Sequence, residues 1–151
     1  MAESYLHKKI KDKSVEYLMN KGYLVARSEV GDHYYGIIDA WGVRPRDLYT
    51  MGVEVKVSRS DWKAAKRKDR VYEEVRITPR IDNWTSMNEM YYACPSGLIH
   101  PNEVSESVGL LWYDEEKGRF FNKKKPYFLK ILNTTKIKTL LSIYNPFFRP
   151  Y

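Results

Sequence analysis

The chain has 151 residues and a formal net charge of +7, and 43% of its residues are hydrophobic, which is typical of one domain around one core. Its single cysteine, Cys94, excludes an internal disulfide and a cysteine-based zinc site, and we expect it to be a core thiol. The sequence shows no signal-peptide pattern and no run of roughly 20 apolar residues. We therefore expect a cytoplasmic (intracellular) protein with no membrane partner.

The first predicted element is an amphipathic helix over Ser4–Lys21. Leu6, Ile10 and Leu18 recur at helical spacing, and Gly22 is a helix-stop residue. Apolar or alternating runs then predict five strands, at YLVARSEV, GIIDAWGV, TMGVEVKVS, EMYYACP and VGLLWYD. A second helix is expected to begin near residues 58–60, where serines and an aspartate precede helix formers.

The rest of the chain adds shorter elements. SGLIHPNEVSES is expected to hold one helical turn, and DEEKGRFF to form a hairpin that turns at Lys117-Gly118. A helix is predicted over Leu129–Tyr144, so that a basic C-terminal helix and an aromatic tail occupy about 123–151. This order predicts one domain, 1–151, of the α/β (α+β) class, with a mixed central β-sheet flanked by helices.

The positive charge is concentrated in two segments. Residues 56–80 hold nine Lys/Arg against four Asp/Glu, and residues 117–138 hold eight Lys/Arg and no acid. Residues 81–116 hold seven acids and no Lys/Arg. Such segregation favours a positive face for a polyanion, with nucleic acid as the favoured partner, although lysines that only aid solubility give the same pattern.

The strand TMGVEVKVS places a carboxylate and an amine on one face. Glu54 and Lys56 are two residues apart, whereas the alternating valines point to the other face. A buried lone charge is costly, so these groups are expected to pair, to bind a metal or to face a cleft. The alternative is an ordinary half-exposed strand that carries a Glu–Lys pair on its solvent side.

A second carboxylate precedes this strand by fifteen residues. Asp39 interrupts the apolar strand GIIDAWGV, and an antiparallel pairing of the two strands would bring Asp39 beside Glu54. Two converging carboxylates repel each other unless a cation lies between them, and hard oxygen ligands suit Mg²⁺ or Mn²⁺. Lys56 would then orient or activate the attacking water, or stabilise charge on a phosphate.

In these residues the sequence resembles the PD-(D/E)xK nuclease superfamily, which has a restriction-endonuclease-like core. Asp39 corresponds to the first acid and Glu54-Val55-Lys56 to the signature triplet, although Ile38 stands where the signature has proline. Over about 37–114 the order of motifs is similar to the MmcB-type branch, which is associated with DNA repair. The last forty residues match no motif of that branch.

The resemblance implies a set of site residues. Asp39, Glu54 and the main-chain carbonyl of Val55 would hold the metal, and Lys56 would be catalytic. The superfamily often adds an acid from the first helix, for which Glu16 is the obvious candidate, with Glu3 and Asp12 as rivals. The following helix would contact DNA through residues that are equally explained as a solvated surface: Ser58, Arg59, Lys63, Lys66, Arg67, Lys68 and Arg70.

The resulting prediction is a Mg²⁺- or Mn²⁺-dependent DNA endonuclease, acting in DNA repair, recombination or phage DNA processing. The alternative is a catalytically inactive nuclease-fold module that binds DNA or a protein partner. A resolvase of branched DNA would require a homodimer. The three histidines, His7, His33 and His100, show no metal-ligand spacing, and the sequence does not distinguish single-stranded, duplex or branched substrates.

Overall fold

The computed structural model describes residues 3–32, 36–65, 87–127 and 133–144. Within these ranges the chain forms three α-helices, one 3₁₀ helix and six strands. The helices are α1 (Tyr5–Asn20), α2 (beginning at residue 59 and followed to residue 65) and α3 (Asn133–Tyr144), with a short 3₁₀ helix at Pro101–Glu103. The strands are β1 (Val25–Asp32), β2 (Gly36–Val43), β3 (Thr50–Val55), β4 (Glu89–Pro95), β5 (Gly109–Asp114) and β6 (Arg119–Lys124).

The six strands form one mixed sheet in the order β1-β2-β3-β4-β5-β6. β1, β2 and β3 are antiparallel neighbours, β3, β4 and β5 are parallel, and β6 returns antiparallel to β5. The carboxyl ends of the three parallel strands therefore share one edge of the sheet. The predicted mixed sheet with flanking helices is confirmed.

Helix α1 begins and ends where the sequence predicts. The Ser4 side chain caps it by accepting a hydrogen bond from the backbone N–H of His7 at 3.1 Å. Gly22 follows the helix with φ of +94°, a conformation that favours glycine. A Cβ on Gly42 of β2 would lie 2.9 Å from the Cβ of Tyr23, so glycine at this position lets the end of α1 approach the sheet closely.

Hydrophobic side chains cover both faces of the sheet. On the α1 face, Ile10 and Leu18 are fully buried against Val53 and its neighbours. On the opposite face, Trp62 of α2 packs edge-to-face on Tyr92, with ring centroids 4.9 Å apart. Burying two apolar faces anchors each helix and fixes which of its residues meet the sheet.

Several local predictions are confirmed, and others shift by a few residues. Cys94 is fully buried, and burial raises the pKa of its thiol to about 11. The β5–β6 hairpin turns at Gly118, which has φ of +66°. Strand β3 ends at Val55, earlier than predicted, although the N–H of Lys56 still donates to the carbonyl of Ala93 at 2.9 Å. No helix within the described residues is long and apolar enough to cross a bilayer.

Candidate active site

Asp39 and Glu54 meet where the ladder between β2 and β3 ends. The last Cα partners of the two strands are Ala40 and Val53. One residue further, the N–H of Asp39 donates to Glu54 Oε1 at 3.3 Å, and the N–H of Val55 donates to Asp39 Oδ2 at 2.8 Å. The structure thus brings together the two acids that the sequence places fifteen residues apart.

Both carboxylates are shielded from solvent. The Asp39 side chain is 16% exposed, and Glu54 is 9% exposed. Backbone N–H donors compensate part of the charge, but two carboxylates at one strand end in a low-dielectric setting still repel each other. Two acids at one strand end give this place a negative potential, which suits a cation or a positively charged side chain.

Lys56 lies two residues after Glu54 in the chain and is half-buried. Its backbone stays in register with β4 through the bond to Ala93, so strand alternation directs its side chain to the face of Glu54. Its ammonium forms no ion pair with any acid of the described ranges. Within the described part of the chain, its ammonium is thus placed beside Glu54 without a carboxylate partner.

Helix α1 brings a histidine to the same place. The Nε2 atom of His7 lies 3.5 Å from Asp39 Oδ2, and its Nδ1 atom lies 2.6 Å from Glu3 Oε2. The imidazole therefore lies between two carboxylates, with the shorter contact to Glu3. This arrangement restrains the ring and orients it towards Asp39.

A buried lysine extends the cluster. Lys11 is only 6% exposed, and its Nζ atom lies 2.8 Å from Glu3 Oε2 and 3.1 Å from Glu29 Oε1. Burial lowers the pKa of Lys11, but its hydrogen bonds to Glu3 and Glu29 outweigh burial and leave the pKa above its ordinary value. The same Lys11 contact is the main cause of the lowered pKa of Glu3.

Glu29 lies where the ladder between β1 and β2 is interrupted. The pairs Ser28–Ala40 and Val30–Ile38 flank it, so Glu29 lies opposite Asp39, and its φ is +56°. A non-glycine residue with this φ is uncommon and marks a local irregularity that a tertiary contact maintains. Here that contact is the ion pair with Lys11.

Sequence reasoning missed His7, Lys11 and Glu29. A signal for two of them was present, because His7 and Lys11 are four residues apart in α1 and so lie on one helical face. The charge on Lys11 interrupts the face that carries Ile10 and Leu18, which is a sign of a buried ion pair. Glu29 carries no comparable local signal.

The predicted helix acid, Glu16, is not part of this cluster. It pairs with Lys13 at 3.2 Å and is 62% exposed, and it lies roughly 14 Å further along α1 than His7, given the rise of a helix. Asp12, one of its rivals, pairs with Lys8 on the exposed side of the helix. Of the three candidate acids, the structure brings only Glu3 to Asp39, through His7.

Ser58 and Arg59 have structural partners. The Ser58 hydroxyl accepts from the N–H of Asp61 at 3.2 Å and so caps α2. Arg59 makes a two-pronged pair with Glu103, at 2.7 and 2.9 Å, and donates to the carbonyl of Leu98 at 3.0 Å. This contact with Arg59 is the main reason that the pKa of Glu103 is lowered to about 2.

The remaining predicted DNA contacts are only partly described. Lys63 is exposed on α2. The other members of the basic run lie outside the described residues: Lys66, Arg67, Lys68 and Arg70. A role of the whole run in DNA binding stays a prediction.

The donor set of the site suits a hard divalent cation. Mg²⁺ is commonly held by one or two carboxylates with waters and substrate phosphates, and Asp39 and Glu54 supply two such groups with only oxygen donors. Among the described residues there is no group of three or more His, Cys, Asp or Glu that could hold a metal. The residues therefore fit an open Mg²⁺ or Mn²⁺ site, completed by water and substrate, better than a closed structural site. The part of the Val55 carbonyl in it stays a prediction.

Comparison with known proteins supports the fold. No protein-family model matches the chain, and no curated protein is significantly similar to it. A solved structure, the SPO1766 protein of unknown function from Silicibacter pomeroyi, is similar with a TM-score of 0.65 and 16% sequence identity. The alignment covers 96% of this chain and 95% of that one. At this identity the similarity shows a shared fold and carries no functional conclusion.

Proposed function

We propose that the protein is a metal-dependent DNA endonuclease that hydrolyses phosphodiester bonds, with Mg²⁺ or Mn²⁺ as cofactor. The observation that carries the proposal is the convergence of Asp39 and Glu54 at the end of the β2–β3 ladder, with Lys56 on the same strand face. The same three residues carry the resemblance to the PD-(D/E)xK superfamily, whereas the order of motifs over about 37–114 carries the resemblance to its MmcB-type branch.

Each residue has a role that follows from its chemistry. Asp39 and Glu54 would hold the cation, which supplies charge neutralisation at the phosphate and acidifies a bound water when it is present. Lys56 donates hydrogen bonds to the attacking water or to a non-bridging phosphate oxygen, where negative charge increases in the transition state. The water oxygen bonds to phosphorus, the P–O bond to the leaving nucleotide breaks, and that oxygen takes up a proton.

DNA as substrate is supported by charge. The chain carries +7 overall, and phosphate contacts dominate the affinity of proteins for nucleic acid. DNA repair, recombination or phage DNA processing, a cytoplasmic location and a homodimer all belong to this proposal.

The alternative, an inactive nuclease-fold module that binds DNA or a protein partner, also has a supporting observation. Asp39 and Glu54 each accept a hydrogen bond from a backbone N–H at the β2–β3 junction. Carboxylates with such a structural role would be retained even in a protein that has no catalytic activity. Activity, rather than further geometry, separates the two functions.

The test is a cleavage assay on supercoiled plasmid, single-stranded DNA and four-way junctions, with Mn²⁺, Mg²⁺ or EDTA. The variants are Asp39→Asn, which keeps an oxygen acceptor for Val55, and Lys56→Ala. Lys138→Ala, an exposed lysine on α3, is the matched control. We expect metal-dependent cutting that falls about a hundredfold or more in both site variants and is unchanged in the control.

Calorimetric titration measures Mn²⁺ binding independently of cleavage. We expect Asp39→Asn to weaken this binding. Cutting that persists in Asp39→Asn would contradict the proposed site. The inactive module would be established instead if the wild-type protein cuts none of the substrates and binds no Mn²⁺, while the wild type and both variants bind DNA equally well.

A further inference from the structure

Strands β5 and β6 carry an aromatic and cationic surface away from the candidate active site. Trp112 of β5 and Phe121 of β6 are directly opposite each other in the ladder, and both are half-buried. We call this pair of rings, together with the cations over them, the outer-strand surface; its members are Trp112, Lys117, Arg119, Phe121 and Lys123.

The cations of this surface lie directly over the rings. Lys123 Nζ is 4.7 Å from the centre of the Trp112 ring, and Arg119 Cζ is 4.6 Å from that of Phe121. Lys117 Nζ lies 5.5 Å from the same Phe121 ring. None of the three cations pairs with a carboxylate of the described ranges.

The Trp112 ring is held in place by the protein. Its Nε1–H donates to the carbonyl of Ile99 at 2.7 Å, and the ring of His100 stands edge-on to it at 6.3 Å. A fixed ring is a better stacking platform than a mobile one, because less conformational entropy is lost on binding.

Local charge favours an anionic partner. Residues 112–127 contain five Lys/Arg against three acids, Asp114, Glu115 and Glu116, which lie at the turn end of the β5–β6 hairpin. One of the cations, Lys124, points elsewhere and bonds to the carbonyls of Ser105 and Val108. Three others, Lys117, Arg119 and Lys123, lie over the aromatic rings. Cations beside rings are the combination that binds single-stranded nucleic acid: phosphates pair with the cations while bases stack on the rings.

The outer-strand surface lies on the same sheet face as Glu54, with Trp62 of α2 packed on Tyr92 of β4 between them. Glu54 is in register with Tyr92, and Cys94 with Trp112, so strand alternation puts Glu54 and Trp112 on one face of the sheet. β3 and β6 are separated by three strand spacings, roughly 14 Å. Arg119, the first residue of β6, lies at the same end of the sheet as the carboxyl end of β3.

From these observations we propose that the outer-strand surface binds single-stranded DNA and leads it to Asp39 and Glu54. As a statement about substrate it rests on the proposed nuclease function, whereas the binding itself does not. Phosphates would pair with the cations and leave the rings free for bases. The exchange is favourable because an exposed cation–π contact contributes less than the stacking of a base on an aromatic side chain. A duplex, whose bases are already stacked, would use only the cations.

Fluorescence anisotropy with full-length protein in EDTA measures this binding without cleavage, using a dye-labelled oligothymidine of roughly 15 nucleotides and a duplex of equal length. Phe121→Leu keeps apolar volume and removes the ring. Phe120→Leu is its matched control, since Phe120 lies on the other face of β6 against Tyr113 and Tyr17. Lys123→Ala is matched by Lys138→Ala on α3, a helix that contacts β1 at the far edge of the sheet.

We expect Phe121→Leu to weaken single-strand binding about fivefold or more, while duplex binding and both controls stay near wild type. Lys123→Ala should lower the slope of log K against log salt by about 0.7. If the lysines only protect an edge strand from pairing, neither variant changes binding and the proposal is overturned. An equal loss of affinity for single-stranded and duplex DNA also overturns the proposal, because the surface would then contact only the phosphates.

The cleavage assay separates the two proposals. Normal cutting with unchanged binding by Phe121→Leu refutes only the outer-strand surface. If the wild-type protein does not cut DNA but its single-strand binding depends on the Phe121 ring, only the nuclease proposal is refuted.

Discussion

Glu54 accepts a hydrogen bond from the backbone N–H of Asp39 at 3.3 Å, while Asp39 accepts one from the N–H of Val55, the residue after Glu54, at 2.8 Å. Each acid thus bonds to the strand that carries the other. This reciprocal pairing replaces the next backbone step of the β2–β3 ladder and holds two carboxylates side by side. Such a pair is costly in isolation, and the cost is lowered by any cation that binds between the acids.

The first prediction concerns divalent cations and stability. Mn²⁺ or Mg²⁺ at about a hundred times its dissociation constant should raise the unfolding temperature by roughly 5–10 °C, since binding to the folded state alone stabilises it. Differential scanning fluorimetry with and without EDTA measures the shift. Glu54→Gln should abolish the shift, whereas Glu16→Gln, on the exposed side of α1, should retain it. An equal shift in both variants would place the cation elsewhere.

The second prediction distinguishes the acids of the N-terminal segment. Glu3→Gln should lower cleavage about 10- to 100-fold, because Glu3 holds His7 against Asp39 and outer partners of a site have effects of this size. Glu16→Gln should stay within roughly twofold, as expected for an exposed surface change. Steady-state rates measure both, with thermal unfolding as the check on folding. A large loss in Glu16→Gln alone would restore the acid that sequence reasoning favoured.

The third prediction concerns Lys11. Lys11→Met keeps the aliphatic stem and leaves Glu3 and Glu29 without their shared partner. We expect the free energy of unfolding to fall by about 1–3 kcal/mol, because a partly buried carboxylate then loses a charged hydrogen bond. Urea denaturation measures it. Lys8→Met, at an exposed ion pair, should change it by less than about 0.5 kcal/mol; equal effects would show that Lys11 has no special role.

The fourth prediction concerns pH. The pKa of Glu103 is lowered to about 2 by Arg59 and by the N–H of His100, below the roughly 4.3 of a free glutamate. A lowered folded pKa means that the Arg59 contact stabilises the fold fully above about pH 4.3 and is lost as pH falls towards 2. An NMR titration of the Glu103 carboxyl carbon should find its midpoint near 2. In Arg59→Met the midpoint should move up towards the free value, and an unchanged midpoint would contradict the assigned cause.

The local part of the fold could be predicted from the sequence. Apolar residues two apart predict β3, and those three and four apart predict α1, because each period reflects a fixed backbone geometry. The turn at Lys117-Gly118 could be predicted because glycine readily adopts the positive φ that such turns need, and Gly118 has φ of +66°. Asp39 and Glu54 were identified as partners because each is an acid in an apolar strand, which is unusual enough to require an explanation.

Predictions for contacts with α1 were less successful. Helical spacing shows that His7 and Lys11 share a face of α1, but not whether that face meets Asp39. Glu16 was the favoured acid, yet it lies on the exposed side with Lys13. Arg59 was expected at DNA, and the structure pairs it with Glu103, forty-four residues later in the chain.

The sequence by itself determined most of the helices and strands and the pair of acids on β2 and β3, since these depend on residues close together in the chain. Only the tertiary structure decided which side chains surround that pair. The position of α1 on the sheet is set by the burial of Ile10 and Leu18 and by the close approach at Gly42, and it carries His7 to Asp39. Such contacts are the sum of packing over the whole domain, and no local pattern records them.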